Sequence, residues 1–291
     1  MMVRVRFGPA GKPPWFKCKM HEVPILLREE GLDAFEFQAV RMGMPEKVVK
    51  IEDARLLAKN AAENDVLISI HAPYFINFSS EKESTIKMSK LRLLSTIKVA
   101  QWLNAKIVVF HPGYYGKLSK EDALRKVINS LKEVAEKMHE LGIKDIYMGP
   151  ETMGKLSQVG SLDEIIKMCQ EIEFTRPTID WAHIHAREQG LFKTVGDYLK
   201  VIDKIEKELG SEYVKNLHCH FTFVEYGEKG EIRHHTLEEE EFGPPFDKLA
   251  EAILEAGINC TIISESPILD RDAVKMKEIL ESLQEKLGKN M

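Results

Sequence analysis

Short apolar runs alternate with amphipathic stretches from one end of the chain to the other. The runs are RVRFG (4–8), AFEFQAV (34–40), VLISIHAPY (66–74), KIVVFHPG (106–113), DIYMGPET (145–152), TIDWAH (178–183), NLHCHF (216–221) and CTIISESP (260–267). Most are continuously apolar rather than alternating, as parallel strands covered on both faces require. Between them lie segments with apolar residues at helical spacing. SKEDALRKVINSLKEVAEKMHELG (119–142) stops near Gly142, and SLDEIIKMCQEI opens on Ser161 and Glu164, a capping-box pair. RDAVKMKEILESLQEKLG forms a last helix at the chain's end.

Strands and helices in strict alternation predict an α/β fold, a (β/α)8 TIM barrel, as a single domain over residues 1–291. A doubly wound sheet is the alternative, but no G-x-G-x-x-G turn follows the first strand. The longest stretch without a clear period is TFVEYGEKGEIRHHTLEEEEFG (222–243), and long loops inside compact domains are usually functional.

The chemistry collects where strands end. His71 and His111 end the third and fourth, Glu151 the fifth, and Asp180 the sixth with His183 just beyond. The seventh carries His218 and His220, the loop after it His234 and His235, and the eighth ends on Glu265. In a parallel barrel these ends share one rim, where active sites of this architecture lie. Seven imidazoles and three carboxylates gathered there are costly to bury unless cations neutralise them. Imidazole and carboxylate without thiolate suit zinc, with manganese as the alternative, and the ligands outnumber what one ion takes. Two or three ions are therefore expected. His218 and His220 share one strand face; His220 lies nearer the rim and His218 a layer deeper. His21 and His139 sit on helical stretches and are expected on the surface.

Composition narrows the partners. The formal net charge is −5, so nucleic acid would need a local basic patch. The four cysteines are scattered without a C-x-x-C pair, which indicates neither a disulfide framework nor a zinc ribbon. The N-terminus has no apolar signal region and no apolar run approaches the ~20 residues of a membrane span. A cytoplasmic monomer is expected.

SIHAPYFINFS (69–79), FHPG (110–113), GPET (149–152), IDWAH (179–183), HF (220–221), RHH (233–235) and SESP (264–267) together resemble, in order, the metal-site motifs of endonuclease IV. That family, AP endonuclease family 2, consists of zinc-dependent apurinic/apyrimidinic endonucleases of the xylose-isomerase-like barrel superfamily, and its members hold three zinc ions. The resemblance implies His71 and His111 as ligands of the first ion and Glu151 as the carboxylate bridging first and second. It implies Asp180, His220 and Glu265 at the second ion, and His183 and His234 at the third. Tyr74 and Asn77 match positions near the damaged nucleotide, with packing and turn formation as their alternative roles. His185, in TIDWAHIHA, has no counterpart among the ligands and is expected to support the site or the fold. The family's third site also uses an aspartate two residues before the loop histidine, and here that position is Ile232. Either Glu231 substitutes after a small loop shift, or the third site is weak or absent.

The implied activity is base excision repair: hydrolysis of the phosphodiester 5′ to an abasic site in double-stranded DNA, with Glu151 placing the attacking water. Arg41, after the second strand, and Lys82, Lys87 and Lys90 are candidates for phosphate contacts. The alternative is a sugar isomerase or epimerase using Glu151, Asp180, His220 and Glu265 around one divalent ion. It has no obvious need for His71, His111, His183 and His234.

Overall fold

The computed structural model describes residues 3–289, with side chains as far as Lys286; positions 1–2 and 290–291 of the expected domain lie outside the described residues. The strands are β1 (Val5–Pro9), β2 (Ala34–Gln38), β3 (Leu67–His71), β4 (Ile107–Phe110), β5 (Tyr147–Pro150), β6 (Thr178–Asp180), β7 (Leu217–Phe221) and β8 (Cys260–Ser264). They run parallel in two ladders, β2-β3-β4-β5 and β6-β7-β8-β1. Bridges Ala10↔Glu36 on one side and Met148↔Thr175 and Glu151↔Thr178 on the other close the ring. The expected TIM barrel is what forms.

Apolar runs make these strands because each is covered twice. Ile70, Val108, Ile179 and Ile262 are fully buried, between the barrel interior and an outer layer that includes helices Glu83–Leu103, Lys120–Glu140, Val195–Leu209 and Asp270–Lys289. Burial of this kind stabilises by roughly 25 cal/mol per Å² of apolar surface. Ser119 caps the second of these helices by accepting from the Asp122 N–H, and Ser161 and Glu164 form the capping box expected of them.

Two segments differ from the sequence expectation. The sixth strand stops at Asp180, and Trp181–Arg187 is helix. Asp180 is its N-cap: the carboxylate accepts from the His183 N–H at 2.7 Å, satisfying a donor with no partner inside the helix. The stretch 222–243 is not irregular throughout. It contains a β-hairpin, Phe223–Gly227 paired with Gly230–His235, that folds back over the rim. Its turn closes at Gly230, whose φ of +90° is left-handed.

Candidate metal centre

The strand ends deliver their side chains to one place. Glu151, immediately after β5, is fully buried, and its two oxygens reach opposite ways. Oε2 lies 3.2 Å from His71 Nε2 and 3.2 Å from His111 Nε2. Oε1 lies 3.2 Å from His183 Nδ1 and 3.4 Å from His220 Nδ1. Glu265 Oε1 approaches the same His220 nitrogen at 3.2 Å. Among the described residues four groups of mutually close ligand atoms occur, three of them at this rim: His71, His111 and Glu151; Glu151, Asp180, His220 and Glu265; and His183, His234 and Glu265; the fourth, Glu36, His218 and His220, lies a layer deeper. Glu151 belongs to the first two, which is the geometry of a bridge.

Three of the imidazoles are anchored through Nδ1, which leaves Nε2 to face the carboxylates. His71 Nδ1 donates to the Ala72 carbonyl at 2.8 Å, His183 Nδ1 to the Thr152 carbonyl at 2.8 Å and His234 Nδ1 to the Glu265 carbonyl at 3.2 Å. Metal-bound histidines are held in this way, their tautomer fixed by the second nitrogen. Glu151 Oε1, Asp180 Oδ2, His220 Nδ1 and His234 Nε2 are buried without a hydrogen-bond partner. Buried polar atoms are seldom left so. A nitrogen lone pair and a carboxylate oxygen facing one another at 3.2–3.5 Å repel unless a proton or a metal ion lies between them. Ligands at about 2.0–2.1 Å from a tetrahedral ion stand about 3.4 Å apart, so the donor set fits zinc.

Electrostatics agree. Burial pushes the Glu151 carboxyl up, but the imidazoles of His220 and His111 outweigh it and hold it well below the usual carboxylate range. Burial depresses the His220 and His183 imidazoles, yet Glu36, Glu265 and Glu151 around the first, and Asp180 and Glu151 around the second, lift both well above the ordinary value. Asp180 is pushed up to about 6, chiefly by burial. Glu265 is drawn down to about 2 because His220 overcomes its burial.

At the bulge it is Glu231, not Ile232, that faces the histidines. The ladder pairs Tyr226 with Glu231 and Glu225 with Arg233, skipping Ile232. This β-bulge leaves Ile232 58% exposed and turns Glu231 inward. Glu231 Oε2 lies 3.4 Å from His183 Nε2 and Oε1 3.5 Å from His234 Nε2, facing both bare nitrogens. Two glycines permit the approach. A Cβ on Gly154 would stand 2.8 Å from Glu231 Cβ, and one on Gly230 would stand 2.1 Å from the Gly154 carbonyl oxygen.

Other candidates fall into place around this core. Tyr74 is half exposed and stacks on His111, 5.0 Å between centroids at 17°. Asn77 Oδ1 is engaged by Ser79 and by the Tyr114 N–H, so that oxygen braces two rim loops. Arg41 is exposed on the loop after β2. Lys90 turns away to Glu133, 2.5 Å distant. His235 leaves the rim cluster: it bonds Glu239 at 2.8 Å and stacks on Phe242. His185 Nδ1 accepts from the Phe192 N–H at 3.1 Å, and the ring stacks on Phe192, in the helix's packing and outside the ligand groups.

Glu36 is a site residue that the sequence motifs do not single out. It is fully buried in β2, and His220 Nε2 and His218 Nε2 both reach its Oε2, at 3.2 and 3.1 Å. Burial raises its carboxyl, but those two imidazoles more than compensate and leave it well below the usual range. A signal was present all the same: an acid inside the apolar run AFEFQ is as anomalous as Asp180 in TID.

Residues 25–286 match the family described as Xylose isomerase-like TIM barrel. An uncharacterized protein of Methanocaldococcus jannaschii is 34% identical over 95% of this chain and 97% of its own length. A protein named probable endonuclease 4 from Malacoplasma penetrans is 28% identical over 91% of this chain and 92% of its own. Among solved structures, endonuclease IV from Thermus thermophilus superimposes with a TM-score of 0.68 at 18% identity, over 98% of this chain and 100% of that one. A D-psicose 3-epimerase from Clostridium cellulolyticum does so with a TM-score of 0.64 at 13% identity, over 97% and 99%. At these identities the structural likenesses speak for the fold alone. Among the described residues, no helix is long and apolar enough to cross a membrane.

Proposed function

This chain belongs to the xylose isomerase-like TIM barrel family, and within it we propose a zinc-dependent endonuclease that hydrolyses the DNA phosphodiester 5′ to an abasic site. The observation that supports the proposal is the third group of His183, His234 and Glu265, beside which Glu231 faces His183 Nε2 and His234 Nε2 at 3.4 and 3.5 Å. One-metal sugar chemistry needs Glu151, Asp180, His220 and Glu265 and gives no work to this group, nor to the pair His71 and His111. Phosphodiester hydrolysis does.

Bound divalent ions supply there an acidified water, neutralisation of the phosphate and a partner for the leaving oxygen. The chain's own residues do the rest. Glu151 lies between the groups with both oxygens turned to imidazoles, and it orients the attacking water along the line of displacement. The backbone carbonyls of Ala72, Thr152 and Glu265 keep the imidazoles from rotating as charge develops. Tyr74, flat on His111 and half exposed, offers a face to an extruded sugar. An abasic nucleotide has lost its stacking, so extruding it costs little. Arg41, exposed on the loop after β2, would supply a contact to the phosphate backbone.

The test is incision of a duplex carrying one tetrahydrofuran abasic analogue, with and without chelator, beside a metal count on the same protein. Zinc-dependent incision 5′ to the analogue is expected. No incision with a single ion per chain would sink the proposal. A second reading, a divalent-metal epimerase, is favoured by one observation: Glu151, Asp180, His220 and Glu265 form a complete four-ligand group by themselves. Turnover of a ketose by the same preparation would promote it.

A further inference from the structure

Behind the three rim groups, one layer down the barrel, stands the fourth, Glu36 with His218 and His220, which shares His220 with the second group. Glu36 is its centre. Ser69 Oγ donates to Oε2 at 2.9 Å and Gln38 Nε2 to Oε1 at 3.1 Å, while His218 Nε2 and His220 Nε2 reach Oε2 at 3.1 and 3.2 Å. A carboxylate ringed by four donor groups is an acceptor only, so both imidazoles present Nε2–H to it. In His220 that consumes Nε2 and leaves Nδ1 bare. Nδ1 is buried, has no hydrogen-bond partner, and faces Glu265 Oε1 at 3.2 Å and Glu151 Oε1 at 3.4 Å.

We propose that Glu36 is a positioning residue: by holding Nε2–H of His220 it fixes the tautomer and ring angle that present Nδ1 to the second ion. The proposal rests on the metal reading of the centre, though not on its being a nuclease. Carboxylate–histidine pairs of this kind raise the basicity of the ligating nitrogen and hold its direction. His71, His183 and His234 take their orientation from neutral backbone carbonyls. His220 takes it from a carboxylate, at the group with three acidic ligands around one imidazole. His218 and Ser69 direct the same oxygen, so Glu36 cannot swing away from His220 without abandoning both.

The experiment compares wild-type protein and Glu36→Gln, both stripped by chelator and reloaded with zinc, by competition against a chromophoric chelator. Glutamine keeps shape and volume but loses the charge. One zinc per chain is expected to bind about 10- to 100-fold more weakly in the variant, the others unchanged, and the cobalt-loaded variant to show an altered visible spectrum. The melting temperature of the stripped variant should match that of stripped wild type, which a merely structural role would not allow. Wild-type affinity for every zinc in Glu36→Gln would overturn the proposal. Should the variant fail to fold, 15N-histidine NMR of zinc-loaded wild type decides: His220 should carry its proton on Nε2. A His220 with neither nitrogen protonated, together with an extra zinc per chain, would mean that Glu36, His218 and His220 bind an ion of their own, and would overturn it too. A wild-type zinc count of zero overturns this proposal and the metal reading together. DNA incision is not read in any arm, so failure of the nuclease reading alone leaves the test intact.

Discussion

Replacing Glu231 by alanine removes the carboxylate that stands 3.4 and 3.5 Å from the bare nitrogens of His183 and His234. Those spacings match the ~3.4 Å between ligands of a tetrahedral zinc ion, so the loss falls on one ion rather than on the whole centre. The Coulomb term between a carboxylate and a divalent ion about 2 Å apart is large, roughly 17 kcal/mol at an effective dielectric of 20. Desolvation of both offsets most of it. Breaking a buried charge pair costs about 3–5 kcal/mol net, which is at least about 100-fold in affinity. Glu231 is only 16% exposed at its side chain, so this buried scale applies. Zinc counted after equilibration at buffered low free zinc should therefore fall by one ion per chain in Glu231→Ala.

The bulge supplies the refutation. Ile232 is the residue the ladder skips and points to solvent. Ile232→Asp restores the acid at the family's position, yet here it should change neither zinc count nor affinity. It should also fail to rescue Glu231→Ala. If Ile232→Asp adds an ion to the wild-type count, the third group was incomplete without it. If Glu231→Ala retains every ion, Glu231 is not a ligand. Either result refutes the assignment.

His111→Ala removes an imidazole that stands outside the second and third groups; incision of the abasic duplex should drop at least about 100-fold, some 2.7 kcal/mol of barrier, while the ions of those two groups stay bound. Gly154→Ala forces a methyl to 2.8 Å from Glu231 Cβ. It should cost about 1–3 kcal/mol by overpacking, seen as a lower melting temperature, and loosen the third ion in the zinc count; a normal count would show that hairpin placement does not set that group. Away from the centre, burial first and then the neighbouring Asp270 raise the Glu30 carboxyl from its ordinary value to about 7. A raised carboxyl stabilises the fold in its protonated form, and that contribution is lost as pH rises from about 4.5 through 7. Glu30→Gln should thus be neutral at pH 5 and stabilising by about 1 kcal/mol at pH 8, after discounting for solvent screening at a largely exposed group. Equal effects at both pH values in chemical denaturation would contradict this.

The barrel could be read from the sequence because doubly covered strands must be apolar, and their acidic or histidine ends stood out against that background. What could not be read was register. Ile232 counts as the family's ligand position by spacing, but a bulge skips it and turns Glu231 towards the histidines instead, and pairing partners rather than local sequence set a bulge. The hairpin at 223–235 hid for a related reason. His234 and Glu231 turn inward to Glu265 and His183 rather than to core, so the usual alternation of apolar and polar positions is broken. The two roles open to Asn77, a position near substrate or a turn, could not be separated because a turn that commits a side-chain oxygen to a second loop is invisible until both loops are placed. Glu36 was hidden by its position mid-strand, although an acid inside an apolar run is costly at any depth.

That cost bears on how the chain tolerates its own centre. Glu36, Glu151 and Asp180 are fully buried, and nothing in the apolar wall of the barrel offsets their charge. Without ions the compensation must come from protons, and the imidazoles of His183 and His220, lifted well above their ordinary value, are where those protons sit; Asp180, pushed up to about 6, takes a share as pH falls. Ions that bind through the same nitrogens must expel them. Zinc affinity should therefore begin to fall, as pH is lowered, above the ordinary imidazole range rather than within it. Binding to the folded chain alone then adds stability in proportion to the logarithm of one plus the ratio of free ion to dissociation constant, about 4 kcal/mol at a ratio of about a thousand. A set of ligands too large for one ion is thus tolerated in both forms: protons hold it together when ions are stripped away, and the ions that replace them turn the same repulsion into binding energy.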